Sequence, residues 1–188
     1  MISRMDSLIL EFWFPENKFQ SFWFSSKRKM DKYISETFGS VFQEIETGSN
    51  SKSSWKTNPE SYLALIIVLD QFSRHIYRSS TDEHLIKIQK STDLAIEYAS
   101  DMIEKGWDLQ LSGLKRLFVL LPFRHSKQLQ NIMYAKKKIC EYASYDKREH
   151  KDENLSETNL ILNTSFYNRF IRATDKQLES IEVEVIKS

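Results

Sequence analysis

The sequence predicts an all-α fold, a single helical domain over residues 1–188. Only 4 glycines and 3 prolines interrupt the chain, too few for a sheet-rich protein with many tight turns. Apolar residues recur at spacings of three and four along most of the sequence, which is the period of amphipathic helices. We therefore expect long helices packed around a core and no substantial sheet.

The N-terminal part of the chain predicts amphipathic helices followed by a loop. Asp6 is expected to cap a short helix that Pro15 ends. Between residues 18 and 46 the apolar spacing predicts one or two further helices. Residues 48–54 (GSNSKSS) have no periodicity and predict a loop.

A central helix is predicted from Asn58 to about Tyr77. Asn58 is a favourable cap, and Pro59 suits the first helical position, where its missing N–H is not needed. Residues 62–69 are apolar on every side of this helix. Such a helix is typically buried all round, so we expect it at the centre of the fold.

The next helices are defined by caps and by one proline. Thr81 or Asp82 should cap a helix that ends at Gly106. A helix from Leu114 is expected to stop before Pro122, since the residue before a proline avoids helical geometry. Ser126 is then expected to cap the following helix.

The C-terminal part of the chain predicts a polar linker and less regular helices. Residues 144–158 are almost wholly polar and predict a solvated linker. Residues 159–172 and 174–186 predict helices, and the alternation over 181–186 also fits an extended tail.

Charge and cysteine content exclude several classes of function. With 27 basic against 26 acidic residues, the net charge of +1 offers no field for nucleic acid or an anionic membrane. The single cysteine, Cys140, excludes an intrachain disulfide framework and a thiolate metal cluster. The longest apolar run, residues 62–69, is far shorter than the roughly 20 residues of a bilayer span. We expect a cytoplasmic protein without nucleic acid, membrane span, metal or cofactor.

One row of polar residues is a candidate ligand site. Asp70, Arg74 and Arg78 lie four apart on the central helix and share a face, with Gln71 and His75 beside them. Two guanidiniums and a histidine could clamp a carboxylate or phosphate, while Asp70 orients one of them.

His125 is the predicted partner of that row. It lies just past the predicted helix end at Pro122 and could approach the row if the two helices pack together. The same residues could instead form a buried network that joins helices, because an Asp at the end of an apolar run must be paired. Acid–base catalysis is the third alternative.

Other candidate sites are weaker. His75 and His84 do not have the spacing of a zinc site, and no glycine-rich phosphate loop is present. Cys140 follows the basic run Lys136–Lys138 and is expected at an inert, core-facing position. The aromatic residues between 12 and 24 are expected to seal one end of the core, or to form a partner groove or a wedge at a membrane surface. These aromatic residues are Phe12, Trp13, Phe14, Phe19, Phe22, Trp23 and Phe24.

Four blocks in this order resemble the bacterial family known as domain of unknown function 924. They are Glu11–Phe14 (EFWF), Trp23–Phe24 (WF), Leu63–Arg78 (LALIIVLDQFSRHIYR) and Leu121–Ser126 (LPFRHS). The resemblance covers about residues 8–145. It implies an all-helical, tetratricopeptide-repeat-like stack of helical hairpins and assigns no activity.

The chain departs from this family pattern at a few positions. Ser73 and His75 stand where the family usually has Pro and Asn, and Lys127 stands where it usually has Glu. The late family block Gly-Arg-Phe-Pro-His-Arg-Asn remains only as a remnant at residues 165–170 (SFYNRF). A family site that used this block would be incomplete here.

The sequence thus supports a leading hypothesis and two alternatives. The leading one is a binding module for a peptide, a protein or a small anionic ligand near Asp70, Gln71, Arg74, Arg78 and His125. The second is a hydrolase or transferase with His125 as base and the arginines as oxyanion or phosphate holders. The third is a purely structural polar network in a diverged family member.

Overall fold

The computed structural model describes residues 2–24, 28–48, 55–78, 81–152 and 154–187. All regular elements in these ranges are helical, so the predicted all-α class is confirmed. The chain divides into two compact units, Met1–Leu111 and Ser112–Ser188. The single domain and the tetratricopeptide-like arrangement stay predictions.

The first unit consists of helices packed around one central helix. They are α1 (Ile2–Trp13), α2 (Arg28–Thr47), α3 (Pro59–Ile67), α4 (Ser73–Ile76) and α5 (Asp82–Glu104), with a π-helix over Val68–Phe72 between α3 and α4. Short 3-10 turns lie at Pro15–Asn17, Ser21–Phe24 and Asp108–Gln110. Helices α1 and α5 pack on α3, and α2 packs on the π-helix and α4.

The central helix begins and runs as predicted. The Asn58 side chain caps it by accepting from the Ser61 N–H at 2.9 Å, and Pro59 is its first residue. Residues 61–73 are all buried, which confirms the prediction of a helix packed on every side. The π-helix continues it into α4, so it ends next to the predicted Tyr77.

The start of the chain differs from the prediction at Asp6. Helix α1 begins at Ile2, and Asp6 lies inside it rather than at its cap. The Asp6 carboxylate is buried and accepts a hydrogen bond from the Ser61 hydroxyl of α3. The predicted loop begins at Gly48, a turn residue with φ +72°, while residues 49–54 lie outside the described part of the chain.

The aromatic run forms core at the end of α1. Trp13, Phe14 and Trp23 are buried, and the Trp23 indole N–H donates to the Trp13 carbonyl at 3.0 Å. Phe19 remains 41% exposed. The side chain of Phe24 lies outside the described residues.

Helix α5 has the predicted ends. Thr81 caps it by accepting from the His84 N–H at 3.3 Å. Gly106, with φ +67°, follows its last turn, where a left-handed residue ends the helix without steric conflict. Among the described helices, none combines the length and apolarity that crossing a bilayer requires.

The second unit consists of α6 (Gly113–His125), α7 (Leu129–Lys151) and α8 (Glu157–Lys187), which pack on one another. The predicted stop before Pro122 is wrong, because α6 continues to His125 and thereby buries Phe123. Ser126 does not cap α7, which begins after Gln128. Its hydroxyl closes the end of α6 instead by donating to the Phe123 carbonyl at 2.8 Å.

The predicted polar linker is mostly helix. Residues 144–151 are the last turns of α7, because Asp146 points inward and is buried among polar partners. The chain from 157 to 187 is one helix, so the predicted break and the extended tail are wrong. Cys140 is exposed, contrary to the expected core-facing position, because Ile139 and Tyr142 take the buried positions of α7.

Candidate functional site

The candidate site is built on the end of the central helix. Asp70 and Gln71 lie in the π-helix Val68–Phe72, Arg74 and His75 lie in α4, and Arg78 lies two residues after the end of α4. A π-helix has i to i+5 hydrogen bonds and is uncommon outside functional or strained segments. Because its turn contains one residue more than an α-helical turn, it shifts by one residue which positions of the polar second half share a face with the apolar first half.

The first group of contacts, the Asp70 cluster, consists of Asp70, Gln71, Arg74 and Thr92. Asp70 is 1% exposed, and both of its carboxylate oxygens accept hydrogen bonds. The Gln71 amide donates to Oδ2 at 2.5 Å, and Arg74 Nη2 donates to Oδ1 at 3.3 Å. Arg74 Nη2 also donates to the Thr92 hydroxyl at 2.7 Å, while 29% of the Arg74 side chain stays exposed. This arginine is therefore held on two sides and remains partly open to solvent.

The second group, the Asp31 cluster, consists of Asp31, His75 and Arg78. Asp31 lies in the first turn of α2 and is 15% exposed. Its Oδ1 lies 2.7 Å from His75 Nδ1, and its Oδ2 lies 2.8 Å from Arg78 Nε. The Arg78 side chain is 38% exposed. One carboxylate thus fixes a histidine and an arginine of the neighbouring helix.

The hydrogen-bonding state of His75 follows from its partner. The Asp31 carboxylate only accepts, so a neutral ring that bonds to it carries its proton on Nδ1, the nitrogen that also lies 3.1 Å from Arg78 Nη2. Burial lowers the pKa of His75, the hydrogen bond to Asp31 opposes that effect, and the Arg78 charge adds to the lowering. His75 is therefore a neutral, buried imidazole at pH 7.

The border of this face carries groups of both charges around Tyr77. The Tyr77 hydroxyl donates to Glu46 Oε2 at 2.8 Å, and burial raises the pKa of this phenol. The His84 ring lies 5.2 Å from the Tyr77 ring, and Lys87 Nζ lies 5.4 Å from its centre. The face around Arg78 is consequently mixed rather than uniformly basic.

Comparison with known proteins shows which family the chain belongs to. The family described as "Bacterial protein of unknown function (DUF924)" matches residues 9–181. The chain belongs to this DUF924 family. The structure of a protein of unknown function, ATU0120 from Agrobacterium tumefaciens, is similar with a TM-score of 0.72 over 97% of this chain and 85% of that chain. At 20% identity, this similarity shows the fold alone. None of the curated proteins compared with the chain matches it.

Within this DUF924 protein, the predicted site residues fall into separate groups. Asp70, Gln71 and Arg74 are brought together, while Arg78 belongs to the Asp31 cluster. His125 is the last residue of α6 in the second unit and is half-buried. Its membership in the site stays a prediction.

Sequence reasoning missed Asp31, although the sequence contains a signal for it. Asp31, Ile34 and Phe38 are spaced by three and four, and the two apolar residues are buried. An acid that continues the apolar stripe of an amphipathic helix faces the core and needs a partner. That reasoning predicts a buried acid on α2 without naming its partners.

The second unit of this DUF924 protein contains an unpredicted polar group, the Asp146 cluster of Arg116, Asp146, Asn163 and Tyr167. Arg116 donates to Asp146 Oδ1, while Asn163 Nδ2 and the Tyr167 hydroxyl donate to Oδ2 at 2.7 and 2.9 Å. All four residues are at most 8% exposed. The cluster joins α6, α7 and α8 as a closed network.

Metal ligands are not concentrated anywhere in the described ranges. Over residues 2–24, 28–48, 55–78, 81–152 and 154–187, the structure contains no group of three His, Cys, Asp or Glu side chains placed to hold a metal ion. The exposed Cys140 lies in a shallow groove along α7, between Lys137 and Ser144. The Asp31 and Asp70 clusters therefore remain the best candidates for function in this DUF924 protein.

Proposed function

We propose that the chain is a helical binding module for a small anionic ligand or the carboxylate of a peptide, with Arg78 and Arg74 as the groups that contact it. One observation carries the proposal. Arg78 Nε is fixed 2.8 Å from Asp31 Oδ2, yet 38% of the Arg78 side chain stays exposed. A guanidinium held in this way loses less side-chain entropy when it binds an anion.

Arg74 supports the same proposal from the preceding helical turn. Asp70 and Thr92 hold its Nη2, and 29% of its side chain is exposed. Its Nε is buried and has no hydrogen-bond partner among the residues that the structure describes. In this proposal Asp31 and Asp70 are positioning residues, and His125 is a further candidate contact.

The test is ligand-dependent thermal unfolding of the full chain. The probes are citrate and a tetrapeptide with a free C-terminal carboxylate, and the same peptide with an amidated terminus is the control ligand. A ligand of the native state stabilises it by about 2.7 kcal/mol at a hundred times Kd, so Tm should rise with citrate and with the free peptide only.

Variants separate binding from a structural role. Arg78→Gln, and the double variant Asp70→Leu with Arg74→Met, should fold and lose this rise, because the anion loses guanidinium donors. Arg172→Gln, which changes an exposed arginine of α8, should keep it. His125→Gln tests the remaining candidate residue in the same assay. A stable double variant with unchanged ligand affinity would instead support the purely structural network.

A hydrolase or transferase is a second candidate because of the Asp31–His75 pair. The 2.7 Å contact and the neutral ring leave Nε2 as a base, which makes His75 a better candidate than the predicted His125. The His75 side chain is only 4% exposed, which disfavours contact with a substrate. Turnover of p-nitrophenyl acetate or p-nitrophenyl phosphate that His75→Gln abolishes and His125→Gln retains would support this candidate.

A further inference from the structure

Arg124 in the last turn of α6 has an unusual environment within the second unit. Its guanidinium carbon lies 5.0 Å from the centre of the Phe170 ring of α8. Its backbone carbonyl accepts from Gln177 Nε2 at 2.9 Å. The side chain is half-buried, so the cation–π contact and burial restrict it while part of it stays exposed.

No acidic group compensates this cation in the described part of the second unit. Arg124 Nε is buried and has no hydrogen-bond partner there, and no ion pair joins Arg124 to an Asp or Glu of the described residues. Burial lowers the pKa of the guanidinium, although an arginine remains charged at pH 7. In the same unit Arg116, which is more deeply buried, has the Asp146 carboxylate as its partner.

The end of α6 compensates the charge only in part. The last carbonyl groups of a helix are equivalent to roughly half a negative charge, and Arg124 lies in that last turn. Backbone carbonyls also accept from later residues, as the Pro122 carbonyl accepts from the Ser126 N–H at 3.0 Å. A half-buried guanidinium without a carboxylate partner retains N–H donors that an oxygen anion can accept from.

We propose that Arg124 is the main contact of a second anion site, separate from the clusters of the first unit, which takes a carboxylate or phosphate group. The contact with Phe170 and the burial of Nε restrict the guanidinium, so its remaining donors are positioned before the anion arrives. The site lies entirely on residues of the second unit. It does not depend on the function proposed for Arg74 and Arg78.

The direct test follows the arginine Nε–Hε signals by nuclear magnetic resonance in the full chain. The Arg124 signal is assigned by its loss in Arg124→Lys. Titration with inorganic phosphate or sodium acetate at constant ionic strength should shift this signal with saturation, while sodium chloride should not. The relative affinity of phosphate and acetate identifies the anion class. A signal that does not move with either anion would overturn the proposal.

Thermal unfolding gives a second, independent readout. Arg124→Met keeps an apolar stem over Phe170 and removes the charge, so we expect a higher Tm without anion and a smaller phosphate-dependent rise than in the wild type. Arg172→Gln, which changes an exposed arginine of α8 outside both proposed sites, serves as the control and should keep the phosphate-dependent rise and the Arg124 signal shift. An unchanged phosphate-dependent rise in Arg124→Met would contradict the site and leave Arg124 a packing residue. If Arg124→Met does not fold, the signal titration decides alone.

Discussion

Asp146 in the second unit is 1% exposed and accepts hydrogen bonds from three buried residues, Arg116, Asn163 and Tyr167. Asp31 in the first unit is 15% exposed and pairs with an arginine whose side chain stays 38% exposed. The Asp146 cluster ties three helices together and has no side chain open to a ligand. The Asp31 cluster fixes its arginine and leaves it partly in solvent. Similar charged groups thus hold helices together where all of them are buried. They can contact a ligand where one of them stays exposed to solvent.

The largest expected effect comes from opening the closed cluster. Asp146→Ala leaves the Arg116 guanidinium buried without its partner, so the variant should lose about 3 to 5 kcal/mol of unfolding free energy. Urea denaturation measures this loss. The double variant Arg116→Met with Asp146→Leu removes both charges and should recover most of it. A single variant within about 1 kcal/mol of the wild type would contradict the closed network.

Close packing beside the same cluster predicts the second effect. A Cβ on Gly113 would lie 2.1 Å from Cγ of Asn163. The Asn163 side chain cannot move away freely, because its amide donates a hydrogen bond to Asp146. Gly113→Ala should therefore destabilise the protein by about 1 to 3 kcal/mol in urea denaturation.

A matched glycine in the first unit is the control for this substitution. Gly39 in α2 has no atom within 4 Å of the added Cβ, so Gly39→Ala should stabilise the protein by about 0.5 to 1 kcal/mol. Adding Asn163→Ala to Gly113→Ala should relieve the steric part of the loss. Equal effects of the two glycine substitutions would contradict the packing described for Asn163.

The open cluster predicts a pH dependence of stability through His75. Burial lowers the pKa of His75 in the folded state, so the unfolded chain binds a proton more readily. The contribution of neutral His75 is complete above the unfolded pKa of 6.5 and is lost as the pH falls from there to the lower folded pKa. Stability curves at several pH values should fall over this range in the wild type and less in His75→Gln. Parallel curves would show that His75 is not desolvated as described.

The smallest effect should come from an exposed acid on the same helix as Asp146. Glu141 is 48% exposed and pairs with Lys138 at 3.1 Å, so water and salt screen the interaction. Glu141→Ala should change the unfolding free energy by less than about 0.5 kcal/mol. A loss comparable with that of Asp146→Ala would mean that burial does not separate the two carboxylates.

The sequence predicts local structure well where the signal is local. Asn58 with Pro59, Thr81 and Gly106 mark helix ends through their own backbone preferences, and the structure confirms them. The helix end predicted at Pro122 is wrong, because the burial of Phe123 outweighs the hydrogen bond that the proline cannot donate, and α6 stays helical to His125.

The polar clusters could be predicted only in part, because their partners come from distant segments. Asp146 continues the buried stripe of Ile139 and Tyr142 at spacings of three and four, and Asp31 does the same on α2. This spacing identifies a buried acid. It does not reveal that Asn163 and Tyr167 of α8 donate to Asp146, since that pairing depends on helix packing.

The π-helix at Val68–Phe72 determines how the central helix responds to a change in chain length. One residue of an α-helix corresponds to a rotation of about 100°. The wide turn holds one residue more than an α-helical turn, so deleting one residue inside it would let the segment close as an ordinary α-helix with little rotation of the residues that follow. Arg74, His75 and Arg78 would then keep the sides that face α5 and α2, whereas the same deletion within α3 would turn one part of the helix against the other by that angle. In evolutionary terms, this stretch is where the helix can lose a codon without moving the side chains that it presents.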